Sequence, residues 1–266
     1  MDESETVRIR ELDLNTIPPN VDNMFKPEQG GVKLAFIGKP GTGKSTLIES
    51  VLYSKKHIFP MGIAMSGTED SNGFYGQFFP PAFVYPDSVL NEGKVEEFIK
   101  RQKLAKKHLK NPWGVLIIDD LTDDPKVFNR PLFHGIFKNG RHWKMMFILS
   151  LQYCMDIRPA IRNAIDGTFI LRETNLKSRK SLWENFAGCI PDFNTFCDIM
   201  DGITGDRTAL FINNMIDTGD WKDRIFYYNA DWYMSDPSKT KGFKFGCQDY
   251  WDFNKERFNP ASVDTM

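Results

Sequence analysis

Apolar and polar positions along this chain follow two alternating periods. Short apolar runs occur in VKLAFIG, IFPMGIAMS, WGVLIIDD, WKMMFILSLQ and GTFILRE. Each has the length of a strand buried on both faces rather than on one. The segments between them are long enough for a crossover helix, and STLIESVLYSKK carries its apolar residues at helical spacing. This alternation predicts an α/β fold with a mainly parallel, helix-covered sheet and right-handed crossovers. Beyond Asn175 the spacing turns helical again. RTALFIN and DRIFYYNAD, separated by the turn-rich NMIDTGDWK, then predict a C-terminal β-hairpin. NTIPPN and KPEQGG mark the first thirty residues as an extended arm, and YMSDPSKTKGFKFG reads as a flexible loop leading to an aromatic tail. The expected organisation is an arm over 1–30, a single domain over 31–235 that includes the hairpin, and a tail over 236–266.

The junction between the first run and its helix, AFIGKPGTGKSTL, fits the phosphate-loop pattern G-x-x-x-x-G-K-[ST]. Gly38, Lys39, Pro40, Gly41, Thr42, Gly43, Lys44, Ser45 and Thr46 form the expected cradle. There the backbone N–H groups and the helix N-terminus face phosphate oxygens. Lys44 is placed to reach the β and γ phosphates and Ser45 to ligate Mg²⁺. A second site is WGVLIIDDL, where four apolar residues deliver Asp119 and Asp120 to the C-terminal end of a strand, the edge where open α/β sheets bind ligands. Asp119 is the candidate for the Mg²⁺ shell. Asp120 is the candidate to polarise an attacking water, with a turn-capping role as its alternative. Asp123 and Asp124 read as acids at a helix N-terminus. One predicted strand lies between the loop and these acids in sequence and is expected between them in the sheet, as in P-loop ATPases with an added catalytic carboxylate. The base-reading N-K-x-D of GTPases is missing, NLKS being the nearest segment, which favours ATP.

In ILSLQY, Gln152 ends a strand beside the nucleotide strand, where an amide can hold both the attacking water and a γ-phosphate oxygen. Arg141 lies just before that strand and is a candidate finger for a neighbouring subunit's nucleotide. Arg158 and Arg162, four apart on one helix face, are its rivals, and a surface salt bridge is the plain alternative for all three.

Charge narrows the partners. The net charge of −1 over 266 residues excludes a protein that coats nucleic acid with its whole surface. Any such contact is local, and KRQKLAKKHLK, Lys100 to Lys110, holds no acid. That stretch is either a solvated helix face or the lining of a nucleic-acid path. Cys154, Cys189, Cys197 and Cys247 lie too far apart in sequence to indicate zinc or a disulfide framework, which suggests a reducing compartment. The acidic N-terminus and the lack of a long apolar run predict a soluble intracellular protein with no membrane span and no secretory signal.

Taken in order, GKPGTGKST, AMSGTEDSNGFYGQFFPPAFVY, VLIIDDL, NGRHWKMMFILSLQY and IRPAIRNAIDGTFILRE resemble the genome-packaging ATPases of large nucleocytoplasmic DNA viruses, the poxvirus packaging ATPase among them, within the FtsK and HerA superfamily. The resemblance runs from about Lys33 to Phe186. It implies an ATP-driven motor that moves double-stranded viral DNA into a preformed capsid. It also implies a homo-oligomeric ring with ATP at subunit interfaces, capsid or portal partners, and virion assembly sites in the infected cell, the cytoplasm before the nucleus. Position by position, Lys44 and Ser45 match the phosphate and magnesium residues, Asp119 the magnesium aspartate, Gln152 the sensor amide and Arg141 the arginine before the sensor strand. Asp120 departs from the glutamate common in the superfamily and is one methylene shorter. SGTED, Ser66 to Asp70, matches the family pattern and gains no role beyond a loop at a strand end. Lys100, Arg101, Lys103, Lys106 and Lys107 are the expected channel lining. Two other readings stay open. One is a helicase or recombination ATPase of the same superfamily, with no aromatic stacking platform in its favour. The other is a nucleotide-gated scaffold without turnover, which needs an inert Asp120.

Overall fold

The computed structural model describes residues 8–87, 89–121, 125–154, 157–230, 238 and 241–257. Nine strands form one sheet: β1 (Arg10–Glu11), β2 (Val32–Ile37), β3 (Gly62–Ser66), β4 (Val84–Tyr85), β5 (Gly114–Asp119), β6 (Met145–Leu151), β7 (Gly167–Ile170), β8 (Thr208–Asn213) and β9 (Ile225–Asn229). Their spatial order is β1-β9-β8-β7-β2-β6-β5-β3-β4. Only the pairings of β8 with β7 and β9 are antiparallel. The expected mainly parallel sheet and C-terminal hairpin are therefore both present.

Helices among the described residues include α1 (Lys44–Ser54), α2 (Glu69–Asn72), α3 (Glu92–His108), α4 (Pro131–Asn139), α5 (Pro159–Arg162), α6 (Leu176–Phe186), α7 (Phe193–Ile203) and α8 (Gln248–Arg257). Local chemistry starts several of them. Asn91, Asn175 and Asp192 accept first-turn N–H groups of α3, α6 and α7, and α4 and α5 open on proline.

Every residue of β2, β5 and β6 is buried, and alternate residues enter two separate cores. Ala35, Ile37, Leu116, Ile118, Phe147 and Leu149 face one. Leu34, Phe36, Val115, Ile117, Met146 and Ile148 face the other. Double coverage is what the unbroken apolar runs required.

Three expectations change. The strand between β2 and β5 is β6, which follows both in sequence, whereas β3 lies outside β5. The gap expected for an added-strand ATPase exists, but β6 rather than β3 fills it. Next, residues 8–30 are no free arm. Leu12, Leu14, Ile17 and Met24 are buried in the second core, and β1 pairs with β9. Buried polar groups fasten this segment: Trp113 Nε1 donates to Met24 O at 2.8 Å, Lys55 Nζ to Ile17 O at 2.5 Å, and Lys144 Nζ to Lys26 O at 3.0 Å and Gln29 O at 2.5 Å. Finally, the C-terminal stretch packs inward. Phe243 stacks on Phe78 and Phe245 on Phe79, with ring centroids 5.4 and 4.5 Å apart. Most of the expected flexible loop before them, together with Asp123 and Asp124, lies outside the described residues. No helix among the described residues is long and apolar enough to cross a membrane.

Candidate active site

The loop after β2 is built for close approach to an anion. Gly41 and Gly43 have φ of 78° and 100°, a conformation that side chains resist. Gly43 sits at the N-cap of α1 without a side-chain cap, so the first N–H groups of the helix remain directed at the loop. Lys44 folds back into the loop: it is 6% exposed and its Nζ donates to Gly38 O at 2.7 Å. Ser45 and Thr46 are half-buried beside it.

Parallel pairing sets the acids opposite this loop. β6 pairs with both β2 and β5, so the C-terminal ends of all three strands share one edge. Asp119 ends β5, and Asp120 follows with φ of 52°, in the left-handed region that a carboxylate side chain rarely adopts. That backbone turn directs Asp120 to the loop, where its Oδ2 lies 3.5 Å from Lys44 Nζ. Asp119 is 3% exposed, and burial, opposed by the neighbouring Ser150 hydroxyl and reinforced by the adjacent Asp120, pushes its carboxyl up from the ordinary aspartate value. Its Oδ2 accepts from the Tyr75 hydroxyl at 3.0 Å. Asp119 Oδ1 and Asp120 Oδ1 are buried with no hydrogen-bond partner among the described residues. Orphaned carboxylate oxygens are hard donors of the kind that suits Mg²⁺. Ser45, Asp119 and Asp120 would hold or face such an ion, and when bound it neutralises charge on β and γ phosphate oxygens.

Gln152 is exposed just past β6 and lines a small cleft with Gly38, Leu171 and Glu173. It therefore lies against the loop. The arginines do not. Arg141 precedes β6 and Arg162 precedes β7, so both occupy the N-terminal edge of the sheet, about 20 Å from the loop by strand rise. Arg141 is exposed, with its stem over Gly30. Arg162 is 7% exposed and donates to Ile157 O at 2.8 Å, while Arg158 is exposed at the start of α5. On α3, Lys100, Lys103, Lys106 and Lys107 form an exposed face. Arg101 instead turns inward, donating to Pro112 O at 3.3 Å, and burial lowers its pKa. Lys103 rests over the Trp143 ring at 5.0 Å.

Several site residues escape sequence reading. Glu69, within SGTED, is buried and accepts from Tyr75 N at 3.0 Å and Gly76 N at 2.8 Å. Tyr75 is fully buried, and that burial, with Asp119 next to it, keeps its hydroxyl well above the usual tyrosine range and hence a donor. No pattern links these residues to Asp119. Glu173 could have been found, since it follows the strand beside β2 as Asp119 ends β5. It receives Lys39 Nζ at 2.7 Å and Asn175 N at 2.7 Å. Burial alone would raise its carboxyl, but these contacts hold it below the ordinary glutamate value. Arg172 and Arg207 flank an open cavity of about 390 Å³ against Gly41 and Thr42, formed because the start of β8 comes back to the loop edge.

A phosphate-loop sequence at a strand-to-helix turn, two acids at the end of a parallel strand and a further parallel strand between them define the class: this is a P-loop NTPase fold. No family model matches the chain. Its sequence is 46% identical over 260 residues to protein 088R of Invertebrate iridescent virus 3, covering 98% of each chain. It is 45% identical to protein 075L of Invertebrate iridescent virus 6, covering 97% of this chain and 98% of that protein. The chain belongs to the viral protein family of 088R and 075L. Among solved structures, it is similar to the genome packaging NTPase B204 of Sulfolobus turreted icosahedral virus 2 in complex with ATP-gammaS. The TM-score is 0.52 at 16% identity, covering 74% of this chain and 96% of that one. The expected likeness to a genome packaging ATPase thus holds in the fold.

Proposed function

We propose that the chain is an ATP-hydrolysing motor that moves double-stranded DNA into viral capsids. The observation that carries this reading is the convergence of Lys44, Asp119 and Asp120, with Lys44 Nζ 3.5 Å from Asp120 Oδ2 and an unpartnered oxygen on each acid. Lys44 binds and neutralises the β and γ phosphates. Ser45 and Asp119 would hold Mg²⁺, which would supply further positive charge at the phosphates. Asp120 leaves Lys44 when phosphate arrives and then orients water at the γ-phosphate, with Gln152 after the strand that lies between the loop strand and the Asp120 strand. Aspartate is shorter than the usual glutamate, and the left-handed backbone at Asp120 brings its carboxylate forward to the loop.

A near-neutral chain grips DNA when a few cations per subunit converge on a channel, because phosphate contacts add around a ring and need no base readout. Lys100, Lys106 and Lys107 supply those cations, with Lys103 beside them. The basic end of α3 runs into the start of β5, so DNA contact belongs to the edge remote from the nucleotide. Capsid or portal proteins and virion assembly sites complete the reading by likeness to packaging ATPases.

Steady-state ATP hydrolysis with and without long duplex DNA tests it, beside Lys44→Ala and Asp120→Ala. The expected result is duplex stimulation that both substitutions abolish. Hydrolysis stimulated only by single strands or forks moves the chain to the helicase class. Absence of hydrolysis in the unmodified chain, with DNA and Mg²⁺ present, overturns the motor.

A further inference from the structure

We propose that Glu69 and Tyr75 are a positioning pair that presents one oxygen of Asp119 to the divalent cation and so sets the metal affinity of the site. The inference rests on the nucleotide-hydrolysing reading above and assigns SGTED, which that reading left without a part.

A carboxylate with two equivalent oxygens in an apolar wall has no preferred rotation. Asp119 is not in that position. Tyr75 donates to Oδ2 at 3.0 Å, which leaves Oδ1 buried and unpartnered. The donor is itself fixed. Tyr75 is fully buried, and its ring meets Phe74 and Phe79 edge-on at 5.1 and 6.2 Å. Its backbone is held by Glu69, whose two oxygens separately accept Tyr75 N and Gly76 N and so clamp the tight turn Tyr75–Gln77. Glu69 in turn follows β3, and Ser66 of β3 is in register with Asp119 of β5. The path from strand to carboxylate to turn to hydroxyl closes back on the neighbouring strand with no freely rotating link. Loss of an outer group that orients a metal ligand in this way costs about 10–100-fold in metal affinity.

Charge supports the same assignment. Glu69 and Asp119 both contact Tyr75, and Asp120 follows Asp119 in the chain. Among the described residues, one ammonium, that of Lys44, is paired with an acid of this group. A stabilising role alone would not require a buried charged clamp beside two aspartates. A site that gathers negative charge for a cation does.

The test is Mg²⁺ titration of fluorescent ATP-analogue binding by the full chain, with an EDTA baseline and a thermal melt of each variant. Tyr75→Phe keeps the ring and its packing and removes the hydroxyl. It is expected to raise the half-saturating Mg²⁺ concentration about tenfold while leaving metal-free binding unchanged. Glu69→Gln keeps the shape but can no longer accept both N–H groups, and it should shift the midpoint in the same direction by less. A folded Tyr75→Phe chain with the unmodified Mg²⁺ midpoint overturns the inference. If Tyr75→Phe does not fold, an unmodified midpoint in folded Glu69→Gln overturns it equally. Failure of the unmodified chain to bind nucleotide with or without Mg²⁺ overturns the nucleotide reading and this inference with it.

Discussion

Lys55 ends the phosphate-loop helix with its side chain fully buried, and its ammonium holds the carbonyl of Ile17 in the N-terminal segment. Burial lowers its pKa from 10.5 to about 8, with Asp13 opposing part of the fall. The folded chain therefore binds fewer protons than the unfolded chain between about pH 8 and 10.5, so stability rises with pH across that window. The stabilisation relative to a permanently charged lysine is complete above pH 10.5 and is lost as pH falls through about 8. A shift of this size is worth about 3 kcal/mol in full. Between about pH 7.5 and 9.5 the linkage relation gives a gain of about 2 kcal/mol. Lys55→Met keeps the length of the side chain and removes the titration. Urea unfolding of both chains at the two pH values isolates the difference, because all other groups titrate alike. The unmodified chain should gain about 2 kcal/mol relative to Lys55→Met. A difference that stays constant across the two pH values refutes the reasoning and places the ammonium in contact with water.

Gly167→Ala would put a Cβ 2.7 Å from two ring atoms of Phe211 and 3.1 Å from Leu34 Cδ2. In a core strand this should cost about 1–3 kcal/mol, read as a lower urea midpoint at unchanged slope. Glu173→Ala removes the partner of Lys39 and of the Asn175 N–H. Because Lys39 is half exposed, the ion pair is worth little. The expected loss is about 1 kcal/mol, a fall of about 2–4 °C in Tm by thermal melt.

The strands that carry chemistry were legible because burial on both faces leaves unbroken apolar runs, as in β2, β5, β6 and β7. The two-residue strands β1 and β4 leave no such run. Their pairing depends on partners more than 15 residues away in sequence. The N-terminal segment was misread for a related reason. Leu12, Leu14, Ile17 and Met24 follow neither period because the segment is irregular, and its carbonyls are satisfied by Lys55 and Lys144, which look like surface residues in sequence. Lys44, Ser45, Asp119, Asp120 and Gln152 were legible from strand-end chemistry. Tyr75 was not, since its hydroxyl meets an acid 44 positions away through a fold that no local pattern encodes.

Strand length limits the finger arginine. Arg141 and Arg162 stand at the edge of the sheet opposite the loop, and about 20 Å separates the edges, well beyond the reach of a guanidinium. Neither can serve the nucleotide of its own chain, so a finger among them must act on a second copy, in the head-to-tail contact that closes a ring. Exposure separates the two. Arg141 is free to meet a neighbour, while Arg162 is 7% exposed and tied to Ile157. Mixing inactive variants checks this directly. Lys44→Ala retains Arg141 but has no working loop, and Arg141→Ala retains the loop but has no finger. A mixed assembly places some intact loops against intact arginines. Hydrolysis should return in the mixture to about a quarter of the unmodified rate, the fraction set by random pairing of neighbours. Two silent variants that stay silent when mixed, although they co-assemble, remove Arg141 from the role.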